Sequence, residues 1–291
     1  MSVIDVHAHL ETRMLDVDAV VSKMVIAGID KIVMIPTMCD VLPDAPPGVL
    51  TLLRTLMSSP LHSVARRLND AFYTPEGNLK LSGKVYDIYA LPDNQTVADA
   101  IEAYPDKFLG WIFLNPNVME DPVEELEKWR QIPGFVGVKL HPHWHQWRIE
   151  AAIPIAQRCE ELRIPILIHL GFGDFGRWQV LTDRCPKLKM IFAHAGMPHF
   201  GRMWDDVKRN PNLHIDLSSP YLSERLVRRA VAAVGPERAM YGTDAPYGFH
   251  DAADTYDYLH IKGWVYQLDC PDADIDRIMG DSVEELLSGH R

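Results

Sequence analysis

The chain predicts a (β/α)8 TIM barrel, and three observations predict it. Eight short apolar runs recur along the 291 residues, several of them near-continuous in the way of parallel strands covered on both faces. Stretches with helical spacing of apolar residues separate most of these runs. The length also suits one domain of that architecture, which typically takes about 250 residues.

In chain order the strand-like runs are residues 3–10, 31–37, 108–116, 135–141, 164–171, 189–195, 213–219 and 238–245. Each is short and apolar, rich in β-branched residues and followed by polar turn residues, which is the signal of a strand. Between them, residues 16–27, 95–104, 122–131, 151–161 and 224–234 carry helical periodicity. Alternating β-then-α units imply a parallel sheet. One connection breaks the rhythm: a long insertion at 42–90, after the second run, contains a Pro-rich stretch at 42–48 and an amphipathic stretch at 61–72. Connections that long usually carry function or structure of their own. This one leaves the C-terminal end of a strand, the catalytic face of a barrel, so a lid or pocket wall is expected, with a dimerisation arm as the alternative. No repeat, low-complexity tract or linker divides the chain. Residues 1–291 are therefore expected to form one domain, with a helix at 282–287 packed on the barrel.

The formal net charge of −11 argues against a nucleic-acid partner, which wants a basic face. A local basic pocket remains compatible with it. Cys39, Cys159, Cys185 and Cys270 form no C-x-x-C pair, which fits a reducing compartment and gives no zinc–thiolate site. A strand begins by residue 3, and no apolar run reaches membrane-spanning length. The expectation is a cytoplasmic protein with a small-molecule substrate and no membrane partner; homo-oligomerisation is left open.

The chemistry starts with His7-Ala8-His9 in the first run. In an extended strand, residues i and i+2 share a face, so the two imidazoles would converge as two ligands of one metal ion must. A His-x-His triplet also arises by chance. Its company argues otherwise: Lys139 and His141 end the fourth run, His169 the fifth, His194 the sixth and Asp244 the eighth. Active sites of barrels lie at the C-terminal strand ends. One histidine there would read as a packed residue, whereas five strand ends furnished this way make a constellation.

This order of residues resembles the amidohydrolase superfamily. The local segments resemble its amidohydrolase-related branch, which includes aminocarboxymuconate semialdehyde decarboxylase and related lactonases, hydratases and decarboxylases. They are Ile4-Asp-Val-His-Ala-His9, residues 104–110 with 114–116, Gly137-Val-Lys-Leu-His-Pro142, residues 164–169, residues 192–196 and Tyr241-Gly-Thr-Asp-Ala-Pro246. The resemblance runs from residue 3 to about 246 and thins in the insertion and the C-terminal tail. It implies that His7, His9, His169 and Asp244 hold a divalent metal. Three imidazoles and a carboxylate suit zinc, with manganese or iron as alternatives. The bound ion would bring the pKa of a water to around 7, and Asp244 would shuttle its proton. His194 would contact a second metal or polarise the substrate. In binuclear members the residue matching Lys139 is carboxylated and bridges two metals; in the mononuclear branch it need not be a ligand. A plain ammonium beside a cation is repelled, so Lys139 is expected to be carboxylated, neutral or turned toward an anion, and a second metal follows only from the first.

The run His141-Pro-His-Trp-His-Gln-Trp147 offers three more histidines at spacing two. Pro142 ends the strand there, so His141 and Trp144 are expected in the pocket wall rather than in a separate metal cage. Arg177 could clamp a substrate carboxylate or pair on the surface. Tyr247, with His199 and Tyr221, falls in loops on the active face. Gly171 and Gly173 lack a dinucleotide context, Ser218 and Ser219 lack a nucleophile elbow, and Cys39 reads as a buried thiol. His62, His214, His250, His260 and His290 read as structural or surface residues. The function expected is a metal-dependent hydrolase of a small metabolite, in which metal-activated water attacks a carbonyl. The alternative chemistry is a zinc-dependent nonoxidative decarboxylase or hydratase of a carboxylated aromatic or dienoic acid. A barrel that binds without turnover would lack one of the ligands, and none is lacking.

Overall fold

Strand β1 (Ile4–Leu10) is buried along its whole length, as an apolar strand with both faces covered must be. It pairs in parallel with β2 (Lys31–Pro36). A short antiparallel hairpin follows, β3 (Leu79–Leu81) with β4 (Lys84–Tyr86). Then come β5 (Phe108–Phe113), β6 (Phe135–Leu140), β7 (Ile166–Ile168), β8 (Met190–Phe192), β9 (Leu213–Asp216) and β10 (Ala239–Met240). The main sheet runs β1-β2-β5-β6-β7-β8-β9-β10. Backbone hydrogen bonds between β1 and the segment after β10 close the ring: Val6 N–H to Tyr241 O at 3.0 Å, Asp244 N–H to His7 O at 2.7 Å and His9 N–H to Ala245 O at 2.6 Å. The expected (β/α)8 barrel is thus the fold of the chain, in a computed structural model that describes residues 2–59 and 61–288. His290 lies outside the described residues.

The helices are α1 (Val17–Ala27), α2 (Pro47–Met57), α3 (His62–Asp70), α4 (Asn94–Ala103), α5 (Pro122–Trp129), α6 (Pro142–His145), α7 (Ile153–Leu162), α8 (Gln179–Arg184), α9 (Gly201–Arg209), α10 (Glu224–Val234), α11 (Leu259–Tyr266), α12 (Asp272–Asp276) and α13 (Ser282–Ser288). Capping sets the boundaries: Asp16 accepts the Ala19 N–H at the start of α1, and Gly28 ends it at φ 61, the left-handed C-terminal stop that glycine permits. Among the described residues no helix is long and apolar enough to cross a membrane.

The regular strands are shorter than the apolar runs. Residues 189–195 and 238–245 reduce to β8 and β10, because His194 and Asp244 take φ values of 56 and 64, which no strand accommodates. Inside the barrel, Ile4, Val6, Val33, Trp111, Phe113 and Ile191 pack together; a second layer fills the space between strands and helices. Strand β1 changes face on the way up. The β1–β2 register slips between Asp5 and Ala8. Below the slip Ile4 and Val6 fill the barrel interior, and above it Ala8 and Leu10 belong to the outer layer. A one-residue slip exchanges the two faces of a strand, so His7 and His9 inherit the inward face.

The insertion is structured. Its stem is zipped by Asp40 N–H to Asp87 O at 3.0 Å and Tyr89 N–H to Met38 O at 2.9 Å. Arg13, held by the buried Glu11, donates to Cys39 O at 2.6 Å and to the Tyr89 hydroxyl at 2.9 Å, seating the stem against the end of β1. Helix α2 and the loop before it wall one side of the cavity above the strand ends.

Candidate metal centre

The inward turn of β1 brings His7 Nε2 to 3.5 Å and His9 Nε2 to 3.3 Å from the same oxygen, Oδ1 of Asp244. His194, in the left-handed turn after β8, places Nε2 3.9 Å from the other Asp244 oxygen. Donor atoms of His7, His194 and Asp244 all lie within 4.8 Å of one another. This is the tightest metal-capable group among the described residues, and it includes His194, which the sequence placed outside the first ligand set. His169 borders it, its ring centroid 4.6 Å from that of His194.

The partners of the far nitrogens decide what these rings present. His7 Nδ1 lies 2.8 Å from Asp216 Oδ2. A carboxylate only accepts, so the proton sits on Nδ1 and the lone pair of Nε2 faces Asp244. His194 Nδ1 lies 2.8 Å from Ser218 Oγ, and that hydroxyl donates to Asp216 Oδ1 at 2.5 Å. The hydroxyl has one proton and gives it to the carboxylate, so it accepts from His194 Nδ1–H, leaving the Nε2 lone pair toward Asp244. Asp216 also accepts the backbone N–H groups of His194 and Ser218. His169 Nε2 and His9 Nδ1 are sealed in the interior with no hydrogen-bond partner among the described residues. Orphaned ring nitrogens cost about 1–3 kcal/mol each, a cost that a coordinated ion removes for any nitrogen it meets. The donor set therefore fits a divalent ion.

Burial keeps the rings neutral, the form that coordinates metal. It lowers His7 and His9, pushes His194 down to about 4 and takes His169 well below the usual imidazole range. Burial alone would raise Asp244, but its contacts with His194, His9 and His7 lower it on balance. Lys139 is fully buried, with Nζ 3.3 Å from His7 Nε2. Burial pushes its amine down to about 8, against the opposing pull of Asp216 and Asp244.

A cavity of about 450 Å³ opens over this group. His141, Trp144 and Tyr247 line it, with Tyr221 and with His143, whose ring stacks on His169 at 5.0 Å. The Tyr247 ring meets His9 edge-on at 5.4 Å. Arg177 is a correction: its half-exposed guanidinium points to Glu150 at 3.5 Å and Asp174 at 3.8 Å and lines no part of this cavity. The turn after Gly171 carries it outward to the carboxylates that neutralise it. His199 is a second correction, lying outside the cavity lining with Nε2 on Gly171 O at 3.0 Å. Cys39 is buried, its thiol pushed up to about 12 by that burial. His62, His214, His250 and His260 lie outside the lining.

Sequence reasoning missed two residues. Asp216 ends β9 as the other functional groups end their strands, a signal that was legible beside Ser218. Arg54 lines the cavity from α2; its Nε donates to Leu50 O at 3.1 Å, and no carboxylate pairs with it among the described residues. Arg54 lies between the Pro-rich and amphipathic stretches of the insertion, and no motif announced it.

The family described as Amidohydrolase matches residues 4–287 of the chain. Among curated proteins, 4-sulfomuconolactone hydrolase of Hydrogenophaga intermedia is 24% identical over 184 residues, 55% of this chain. The match spans 58% of that relative's length. Solved structures of similar fold include 2,6-dihydroxybenzoate decarboxylase from Rhizobium, 16% identical with a TM-score of 0.63 and all of both chains covered. Another is the dihydroxybenzoic acid decarboxylase from Polaromonas, solved with manganese and the inhibitor 2-nitroresorcinol. It is 16% identical with a TM-score of 0.59, covering 100% of this chain and 98% of that one. At such identities the likeness to these two is one of fold.

Proposed function

The chain belongs to the amidohydrolase family of metal-dependent enzymes, and from that premise we propose that it hydrolyses a small anionic ester or lactone. The observation that carries this reading is the chain Asp216–Ser218–His194, which turns the Nε2 lone pair of His194 toward Asp244. Together these two groups are acceptors. Activating a water needs acceptors, whereas protonating a carbon needs a donor.

His7, His9, His169 and Asp244 are assigned to one divalent ion, zinc by donor type, with manganese the ion bound in one relative. The sealed, partnerless His169 Nε2 supports that assignment. A divalent ion held there supplies a Lewis acid, which acidifies a water to a pKa around 7 and polarises a carbonyl. Asp244 takes the proton of the attacking water and returns it to the leaving oxygen, while the Nε2 lone pair of His194 is available to accept a hydrogen bond beside it. Asp216 holds both histidines in the tautomer this requires. Arg54, without a carboxylate partner, takes the substrate's own carboxylate or sulfonate at the cavity wall. The curated relative's name, a sulfomuconolactone hydrolase, agrees with an anionic lactone. The family match across residues 4–287 supports reading the chain as one domain.

The second reading is nonoxidative decarboxylation or hydration. It is favoured by the decarboxylases among the structural relatives and by the one cluster of three metal-capable groups among the described residues. With a single ion, Lys139 need not be a carbamate bridge. The deciding experiment loads the protein with zinc or manganese and offers muconolactone, a carboxylate-bearing lactone, and 2,6-dihydroxybenzoate. Ring opening with acid release and no carbon dioxide supports hydrolysis; carbon dioxide from the benzoate without ring opening transfers the assignment to the second reading. A crystal structure of the loaded protein counts the ions and reads Lys139 directly.

A further inference from the structure

His141 is the counterpart of His194 in the same cavity, with its proton on the opposite nitrogen. Its Nδ1 accepts the backbone N–H of Trp144 at 3.1 Å, capping the first turn of α6. A ring nitrogen that accepts carries no proton, so the neutral ring bears its hydrogen on Nε2. An imidazolium would set a second N–H against the Trp144 amide, so the cap itself selects the neutral form. The ring is clamped: it lies 4.4 Å from the His169 ring and 4.7 Å from the Trp144 ring, centroid to centroid, and is 3% exposed. Its Nε2 makes no hydrogen bond to the protein among the described residues and is not among the sealed orphan atoms. His141 lines the cavity, so that N–H is open to whatever fills it.

We propose that His141 is a fixed hydrogen-bond donor to a carbonyl or carboxylate oxygen of the substrate, its Nε2–H held in place by the Trp144 cap. The proposal rests on the reading of this cavity as the substrate site and holds for either reaction class. A donor immobilised before the substrate arrives needs no reorganisation during reaction, and losing one such donor commonly costs a hundredfold or more. His194 and His141 then divide the labour: one ring accepts a hydrogen bond, the other donates one to the oxygen on which charge gathers.

Two substitutions separate donation from capping. His141→Asn keeps an acceptor at the cap, where asparagine is among the best residues, but its amide stops short of the cavity. His141→Gln carries an N–H to about the position of Nε2 and gives up the cap. With the zinc-loaded enzyme and whichever of muconolactone and 2,6-dihydroxybenzoate is turned over, His141→Asn should lower kcat/KM by about a hundredfold, while His141→Gln stays within about tenfold of the parent. Parent-like turnover by His141→Asn, with His141→Gln impaired, would make the residue a cap and overturn the proposal. The second measurement needs no turnover. Long-range proton–nitrogen spectra of zinc-loaded protein labelled at histidine nitrogen, with His141 assigned by its loss in His141→Asn, should show the proton on Nε2 and a shift of that N–H when benzoate is added as a carboxylate probe. A proton on Nδ1, or no response to benzoate, overturns the proposal. If neither substrate is turned over, the reaction-class reading fails and this spectrum still decides the role of His141.

Discussion

Two runs of alternating histidines meet at one cavity, and written as text they look alike: His7-x-His9 and His141-x-His143-x-His145. In the first, His7 Nδ1 is tied to the buried carboxylate Asp216 and its Nε2 lone pair faces Asp244. In the second, no carboxylate among the described residues backs any ring. His141 caps α6, His143 stacks on His169, and His145 sets Nδ1 on His141 O at 3.1 Å and Nε2 on Tyr89 O at 3.0 Å. The first run offers lone pairs, while the second offers N–H donors or ties the barrel to the stem of the insertion. A histidine's role is therefore set by what its far nitrogen touches, and spacing alone does not reveal it.

The widest separation between the two runs is expected in metal content. His7→Ala combined with His9→Ala should abolish stoichiometric zinc, read by elemental analysis, together with all turnover; full metal in that double variant would break the comparison. Asp244→Asn removes the shared acceptor and should cost roughly a hundredfold or more in kcat with the fold intact. Asp216→Asn tests the backing carboxylate, and zinc affinity measured by chelator competition should weaken by about 10- to 100-fold. Arg54→Gln reaches the opposite wall: KM for an anionic substrate should rise about tenfold or more, the worth of a charged hydrogen bond, with a smaller effect on a neutral ester. The smallest effect sharpens the second run. His145→Ala loses the one hydrogen bond that its buried neutral ring can donate to the carbonyls of His141 and Tyr89, so denaturant unfolding should report a loss of about 0.5–1.5 kcal/mol, with metal content at the parental level.

Much of the barrel was legible. The helices expected at 16–27 and 224–234 are α1 and α10 to within a residue, because capping and periodicity are local. The strand ends were overextended where the backbone turns left-handed at His194 and Asp244, since apolar composition continues past the last ladder hydrogen bond. Helix α2 and the β3–β4 hairpin were not foreseen. Helix α2 starts without a side-chain cap and the two hairpin strands are three residues each, so capping and length gave nothing to read, and Arg54 went unseen with them. For Arg177 the sequence left a substrate clamp and a surface pair side by side, because a Gly-rich turn after a strand looks the same whether its arginine points inward or out.

By itself the sequence determined the alternation of strands and helices, the family, and which residue types stand at the strand ends, because propensity, patterning and motif are properties of neighbours along the chain. Only the tertiary structure decided what those residues present to the cavity. The register slip that turns His7 and His9 inward depends on β2, and the proton placement on His7 and His194 depends on Asp216 and Ser218 arriving from β9 and just beyond it, more than 200 residues from His7. A hydrogen bond is made by proximity and direction, and those exist only once the ring of strands has closed.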